Sequence, residues 1–545
     1  MQSGSPIRYL SALPEPVEEI RRSGRMIITT PQGGQIVLDD KLFALYQKAQ
    51  GLLLDEILKS FASENGSASP LRQHPDEIRA ALACLVQAGI IRRIPATDDA
   101  LPLAATTDKG LVSVIIVNFN SQQWLDECLP SLQAQLYQPL EIIIVDNGST
   151  EDLGPWLSNS YPDIRFHRLT QSASLAAAIN YGVSIARGDY FLFLNPDVRL
   201  DPQAVAELVS TANEPSQSWA CAGVAAKLRY SWAPGFLNGL GNRVGFSGWG
   251  GDNAQGHLDF GQFDHWSDTP SLCFAAALIP RTAWEAVGAF DERFPMYYED
   301  ADWSYRARLL GYQLRLAPKA IVYHALGQRI HSAKQVNLSA AKLRSVTYGR
   351  LRFASKLFSP KNLARVLVTY AAEDLGRLLL NLMHGSLDQV GAGLSGWILF
   401  IKHRSELHQA RKAIQSQRTK SDQVIFSLPR CVPPPLIWRG IPELSWDIIR
   451  HNYLPLMQSQ KTTPLPEFSS RPRLLIIRQD IGFKYPHNIL RKSAQSVDES
   501  LFLRQRRTRD LDHHRRGGVW AAHEFGRHPL RVDHLLVWCA PVAPG

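Results

Sequence analysis

The chain has only six cysteines in 545 residues, and none stands in a C-x-x-C pair. Cys84, Cys128, Cys221, Cys273, Cys431 and Cys539 are widely scattered, which excludes a zinc ribbon or a disulfide framework and makes a reducing cytoplasm the default compartment. Long apolar runs are missing too. No window of about 18–20 uninterrupted apolar residues occurs, so no membrane-spanning helix is read. The opening MQSGSPIRYL lacks the charged-then-apolar order of a secretion signal. Acidic surplus is absent: 59 Lys and Arg stand against 50 Asp and Glu, a net +9 that favours nucleotides, phospholipid headgroups or nucleic acid as partners. What remains, 45% hydrophobic and 20% charged residues, is a globular composition. A chain of this length implies roughly two to four domains.

After a flexible N-terminus over 1–24, residues 25–97 read as a small unit of their own. RMIITT and GQIVLDD are short strands, three segments up to PDEIRAALACLVQAG carry apolar residues at helical spacing, and IIRRI closes as a strand. That pattern fits a winged-helix-like domain. Residues 98–110, small, polar and proline-containing, read as a linker. From 111 to 335 strands and helices alternate. LVSVIIVNFN, LEIIIVDNGS and DYFLFLNPD are apolar on both faces, as in a parallel sheet covered by helices. Ligands bind such sheets at the carboxyl ends of the strands. The polar residues fall there: Asn118 and Asn120, Asp146 and Asn147, then Asn195 and Asp197. Residues 235–261 hold nine glycines and read as a mobile, irregular stretch suited to an acceptor lid. QLRLAPKAIVYHALG reads as strand, turn, strand.

Residues 336–425 are helical and basic, with fourteen Lys/Arg against four Asp/Glu between 341 and 420. VGAGLSGWILFIK is nearly all apolar but too short to span, which suits an interfacial helix on an anionic leaflet; the alternative is a helical hairpin packed on the catalytic domain. Residues 426–545 are irregular, without an assigned role. RPRLLIIRQD opens like another nucleotide-fold strand, and the end reads as truncated or out of frame.

VSVIIVNFN, IIIVDNGS, FLNPD, YYEDADWSYRARLLGY and AIVYHALG, in this order across about 106–335, resemble the family 2 glycosyltransferases and their rhamnosyltransferase-like branch. The resemblance implies the α/β GT-A nucleotide-diphospho-sugar transferase fold, a mostly parallel sheet between helices. It further implies a nucleotide-sugar donor, a divalent metal (Mn²⁺ or Mg²⁺) and inversion at the anomeric carbon. Residues 25–97 loosely resemble peptide-binding PqqD-like domains.

Carried onto this chain, the resemblance gives Asp146 the imide of a pyrimidine base, with Asn147 in the same turn and Val117 and Phe119 flanking the ring. DNGS is equally a good turn in its own right. Asp197 would meet the metal and the diphosphate, and His324 would complete the metal sphere. Asn195 replaces the first acid of the family's Asp-x-Asp, which leaves its metal contact open. Asp300 would be the general base that takes the acceptor's proton, with Glu299 as fallback. Asp302 sits four residues before Arg306, the spacing of an ion pair. Asn180 matches a family asparagine at the nucleotide; the plainer role is an amide holding a loop. Ser174 stands where the family usually has glycine. Trp249 and Trp266 are candidates to stack on acceptor sugar.

The function expected is an inverting, metal-dependent transfer of rhamnose or another hexose from a pyrimidine nucleoside diphosphate to a glycan or lipid-linked glycan, peripherally on the inner membrane face. A second expectation keeps the chemistry but recruits a peptide or natural product through the N-terminal domain. A third is a non-catalytic nucleotide-sugar or DNA-binding protein; nucleic acid is disfavoured because the basic excess lies far from the winged-helix-like unit.

Overall fold

The computed structural model describes residues 110–326 except 217–218 and 246–247, residues 339–426 and 441–459, and, before residue 110, residues 8–11, 20–22, 25–29, 35–50, 52, 54, 56–58 and 75–94. It also describes three dipeptide strands at 437–438, 477–478 and 536–537. The expected linker lies outside the described residues, as does most of the chain beyond 460. The described residues form two compact units: one holds those up to 243, 250–326, 417–426 and 437–459, the other 244–245, 248–249 and 339–416.

In the first unit, the strands in chain order are β1 Arg8–Ser11, β2 Ile20–Arg22, β3 Arg25–Thr29, β4 Gln35–Asp39, β5 Ile91–Ile94, β6 Val112–Asn118, β7 Leu140–Asp146, β8 Arg165–Arg168, β9 Tyr190–Leu194, β10 Val198–Leu200, β11 Cys221–Tyr230, β12 Leu237–Gly239, β13 Asn242–Val244, β14 Gly250–Asp252, β15 Ala276–Pro280, β16 Gln313–His324, β17 Ile437–Trp438 and β18 Ile441–Leu444. β1 and β2 stand where a flexible terminus was expected; β1 pairs with β5 and β2 with β3.

The main sheet has the order β10-β16-β11-β15-β9-β6-β7-β8, with β12 on β11. β9, β6, β7 and β8 are mutually parallel, as their continuous Val/Ile/Leu runs require. β15 then runs back against both β9 and β11, so the second half of the sheet is mixed. The helix Leu175–Ile185 is capped by Ser174, whose Oγ accepts from Ala177 N at 3.2 Å. That helix lies close on the sheet because Gly182 has no side chain; a Cβ there would meet Ile115 Cγ2 at 2.7 Å. Ser121 stands at the start of the helix Gln122–Gln133, but its hydroxyl donates to Phe119 O and caps no helical N–H. β16 is one strand rather than two; its register against β11 jumps from Ala317 to Ile321, so Pro318 sits in a bulge instead of a turn.

The small domain is completed from the far end of the chain. β18 lies parallel to β4, Glu443 opposite Val37 and Leu444 opposite Leu38. Trp446 N donates to Asp39 Oδ2 at 2.7 Å and its indole N–H to Glu77 Oε2 at 2.9 Å. Leu444, Trp446, Ile449 and Tyr453 share one core with Leu42, Leu45 and Leu82 of the small domain and with Tyr230, Trp232 and Phe236 of the catalytic domain. Burial of each such side chain contributes about 1.5–3 kcal/mol.

The second unit is helical, with helices Ala340–Leu357, Pro360–Met383, Leu387–Lys402 and Arg404–Gln417. Its interior is polar at the centre. Arg350, fully buried, pairs with Glu373 at 2.9 Å and with Asp374, and Arg352 pairs with Glu406 at 2.8 Å. Gly396 lies against Thr347, where a Cβ would meet the Thr347 Cβ at 2.8 Å. None of the described helices is long and apolar enough to cross a membrane.

Candidate active site

Three parallel strands end side by side on one sheet edge, and their polar termini interlock. Asp146, at the end of β7, is fully buried. Its Oδ1 accepts from Asn118 Nδ2 at 2.8 Å and from the Ser149 hydroxyl; its Oδ2 accepts from Ser149 N at 3.2 Å and faces Arg168 Nε at 3.6 Å. Both oxygens are therefore engaged inside the turn. Asp146, expected to meet a pyrimidine imide, is thus held in place by Asn118 and Ser149. Asn147 is likewise spent on the neighbouring loop, where its amide exchanges hydrogen bonds with Ala173 N (2.8 Å) and O (3.0 Å). What this edge does present is Phe119, 53% exposed, beside the half-buried Val117.

Asn180 takes the plainer of its two expected roles in this structure. Its Nδ2 donates to Phe290 O and Glu292 Oε1 at 3.0 and 2.9 Å, and its Oδ1 accepts from Phe290 N at 3.0 Å. The amide holds the 290–292 turn against the helix.

Asp197 and His324, 127 positions apart, meet. β10 pairs antiparallel with β16, Val198 opposite His324, and this register brings Asp197 Oδ1 to 3.4 Å from His324 Nε2. The other ring nitrogen, Nδ1, lies 2.8 Å from Asn238 Oδ1. Nδ1–H donates to that amide oxygen, which turns Nε2 toward Asp197. Asn238 is itself oriented, because it also hydrogen-bonds the buried Tyr230 hydroxyl. Asn195 places its Nδ2 3.4 Å from the same Nε2, so its amide nitrogen, not its oxygen, faces the site. One carboxylate oxygen and one imidazole lone pair, both nearly buried and converging, fit a divalent cation that takes its remaining ligands from diphosphate and water. No group of three or more His, Cys, Asp or Glu able to hold a metal occurs among the described residues.

The acid cluster opens the helix Glu299–Leu309. Tyr297 and Tyr298 precede it at φ 69° and 73°, both left-handed, a backbone that bulky residues adopt only at a cost of about 1–3 kcal/mol each. This sharp entry sets Glu299 and Asp300 at the helix mouth. Asp300 Oδ2 accepts from Asn242 Nδ2 at 2.7 Å and Oδ1 from Ala301 N at 2.7 Å. Burial pushes the Asp300 carboxyl up to about 6, the two hydrogen bonds opposing that rise. Burial, with the Asp300 charge added, pushes Glu299 to about 8. Burial and mutual repulsion thus favour a pair that shares one proton at neutral pH. Glu299 Oε2 and Asn242 Oδ1 are buried without a protein partner. Asp302 pairs with Arg306 at 3.0 Å and serves the helix rather than the chemistry.

Asn238 and Asn242 were not expected from the sequence. Both come from the glycine-rich stretch, which is not a lid. Leu237, Asn238, Leu240, Asn253 and Leu258 are buried, and Gly241 turns the chain at φ 74°, where a Cβ would strike Thr269 Oγ1 at 2.1 Å. The two tryptophans proposed for the acceptor sit in unlike surroundings. Trp266 is buried, with its ring 5.0 Å from Phe263. Trp249 belongs to the second unit, where the guanidiniums of Arg350 and Arg377 lie 4.9 and 4.7 Å from its ring centre.

Residues 113–232, which carry this strand edge through Asp197, match the family described as Glycosyl transferase family 2. The chain carries a family 2 glycosyltransferase domain. The chain is similar to the putative glycosyltransferase EpsH of Bacillus subtilis, 31% identical over 113 residues, 20% of this chain and 33% of EpsH. It is similar also to the O-antigen biosynthesis protein RfbC of Myxococcus xanthus, 28% identical over 229 residues, 40% of this chain and 18% of RfbC. The chain spans about a third or less of the length of the curated relatives it matches. Among solved structures, the mannosyltransferase PcManGT of Pyrobaculum calidifontis overlaps 67% of this glycosyltransferase and 93% of its own chain at 17% identity, a loose superposition with a TM-score of 0.34.

Proposed function

We propose that this glycosyltransferase moves a sugar, rhamnose or another hexose, from a nucleoside diphosphate to a hydroxyl of a glycan or lipid-linked glycan, with inversion and with the help of Mn²⁺ or Mg²⁺. The observation that carries this reading is the 3.4 Å approach of Asp197 to His324 on the sheet edge where the nucleotide-fold strands end. Asp197 and His324 would hold the cation, which when bound neutralises the diphosphate of the leaving group. Phe119 offers its exposed ring to the base. The pyrimidine preference rested on Asp146, which is engaged, so the proposed donor is defined by its diphosphate. Asp300, largely ionised at neutral pH, takes the proton of the acceptor hydroxyl as the sugar–oxygen bond forms. Neutral Glu299 beside it keeps a second negative charge away and has a free Oε2 to hydrogen-bond the acceptor. The O-antigen role named for RfbC supports a glycan acceptor. A peripheral seat on the inner membrane face would bring the enzyme to a lipid-linked acceptor. Peptide recruitment is disfavoured because β18 of this chain already occupies the β4 edge of the small domain.

A thermal-shift screen of UDP, dTDP and GDP, each with and without Mn²⁺, tests the reading. Stabilisation by at least one diphosphate that requires metal and is lost in Asp197→Ala supports it. Equal shifts with and without metal, or no shift with any of the three, overturns it.

A further inference from the structure

Most of the apolar surface that the described residues expose lies on two helices. Of fourteen large hydrophobic side chains exposed there, nine belong to Pro360–Met383 and Leu387–Lys402. Leu375, Leu379 and Met383 follow one another at four-residue steps; Leu387, Leu394 and Ile398 stand seven and four apart. Each set is therefore a single stripe along its helix. The turn that joins the helices is strongly exposed, 81% for Met383 and 69% for Leu387. The opposite sides are spent internally: Glu373 and Asp374 meet Arg350, Trp397 Nε1 donates to Asp374 at 2.8 Å, and Gly396 lies on Thr347. Soluble monomers rarely leave so continuous an apolar surface uncovered.

Charge polarises this hairpin. No Lys or Arg occurs between Arg377 and Lys402, so the turn end is free of cations. The open end carries exposed Lys361 and Arg365 on one helix and exposed Lys402 and Arg404 beside the other. About 30 Å of helix separates Lys361 from Met383 at 1.5 Å per residue. Against these four cations the hairpin exposes one acid, Asp388. A two-fold pairing of copies would press this surface on itself and leave the cations without counter-charges. An anionic lipid surface supplies both partners, acyl chains for the stripes and headgroup phosphates for the rim.

We propose that the Pro360–Lys402 hairpin is a membrane seat that lays its leucine-rich stripes into the headgroup boundary of an anionic leaflet, with Lys361, Arg365, Lys402 and Arg404 on the phosphates. The seat deepens the peripheral placement proposed above and rests on that reading for its purpose, although the surface itself does not depend on the transferase chemistry.

Co-sedimentation of the full chain with vesicles tests it. Vesicles of 70:30 phosphatidylcholine to phosphatidylglycerol are expected to bind at least about tenfold more tightly than pure phosphatidylcholine, with the difference shrinking at high salt. Leu379→Glu with Ile398→Glu, and separately Lys361→Glu with Arg365→Glu, should each lower that partition about tenfold or more. Both pairs should keep the helical circular dichroism and the metal-dependent nucleotide shift of the parent. Absence of binding to anionic vesicles, equal binding to neutral ones, or partition unchanged by either pair overturns the seat. So does a concentration-dependent dimer in lipid-free sedimentation that Leu379→Glu dissociates. Loss of the nucleotide shift in the parent, with vesicle binding intact, strikes the transferase reading and leaves the seat standing.

Discussion

Replacing Glu299 by glutamine removes one ionisation while nearly preserving shape. Glu299 is buried, its Oε2 has no partner, and the next residue is another acid. Its carboxyl is raised from an ordinary 4.5 to about 8 by burial, with the Asp300 charge adding to the rise. A carboxyl raised in the folded state stabilises the fold fully below its unfolded value and loses that contribution as pH climbs through the folded value. The wild-type chain should therefore lose stability between about pH 4.5 and pH 8, and Glu299→Gln should lose only the smaller part owed to the buried Asp300. At about 1.4 kcal/mol per pKa unit the ceiling is on the order of 5 kcal/mol above pH 8. The proton is shared with Asp300, so ~2–3 kcal/mol is the working figure. Scanning calorimetry of both proteins at pH 5, 7 and 9 reads this directly. The melting temperatures should differ little more than a constant offset at pH 5 and diverge in favour of Glu299→Gln by several degrees at pH 9. A difference that does not grow with pH would refute the claim that Glu299 is held protonated beside Asp300.

Asp300→Asn should lower kcat by about 10²–10⁴ while leaving the metal-dependent nucleotide shift intact, since the residue is assigned to the acceptor's proton and not to the donor. In Asn242→Ala the hydrogen bond that holds the Asp300 carboxyl down is gone. The acid limb of the pH–rate profile should then move to higher pH, with activity falling more at pH 6 than at pH 8. Asn238→Ala frees the imidazole of His324 from its fixed tautomer. The Mn²⁺ concentration that half-saturates the thermal shift should rise about 10–100-fold, with the metal-free melting temperature little changed.

The parts of the fold that could be read from sequence are those where local pattern and tertiary environment agree. β6, β7 and β9 are unbroken β-branched and apolar runs, and a parallel strand buried on both faces needs nothing else. β11 is hard to read because CAGVAAKLRY is rich in alanine and carries Lys227 at a buried position; the lysine is tolerated because Asp259, 3.0 Å away, and Asp264 both pair with it. β18 is four residues long, and its partner lies some four hundred positions upstream, beyond the reach of any periodicity. At the site, Asp197 and His324 could be paired through the family resemblance but not through spacing, since a three-residue strand sets their register. For Asp146, Asn147 and Asn180 the resemblance supplies a role but not the neighbours. Where a carboxylate or amide spends its hydrogen bonds is decided by neighbours in space, and here those neighbours are Ser149, Ala173 and Phe290. The glycine-rich stretch was taken for a loose loop because glycine permits looseness. It equally permits close approach, and the signal for that was NGLGN, two amides flanking a turn inside an otherwise buried run.

The small domain is tied to the metal end of the site through a single glycine. At Gly235 a Cβ would meet the carbonyl oxygen of Gln87 at 1.8 Å, a contact with backbone that no rotamer change can relieve. Gln87 Nε2 in turn donates to Asp259 O at 2.6 Å, so the end of the Pro75–Gln87 helix is clamped to this loop from two sides. Tyr230, just before the loop, shares its core with that helix and hydrogen-bonds Asn238, which orients His324. Gly235→Ala must push the two domains apart, and forced overpacking of this kind costs about 1–3 kcal/mol. If the small domain buttresses the metal ligands, Gly235→Ala should lower the melting temperature and also weaken Mn²⁺-dependent stabilisation. Trp446→Ala, a cavity at the far side of the same core, serves as the comparison: about 3–5 kcal/mol of stability lost, with the metal response of the surviving folded protein close to the parent's. A Gly235→Ala protein with parental metal response at temperatures where it is folded would show that the small domain is joined to the catalytic sheet without supporting its chemistry.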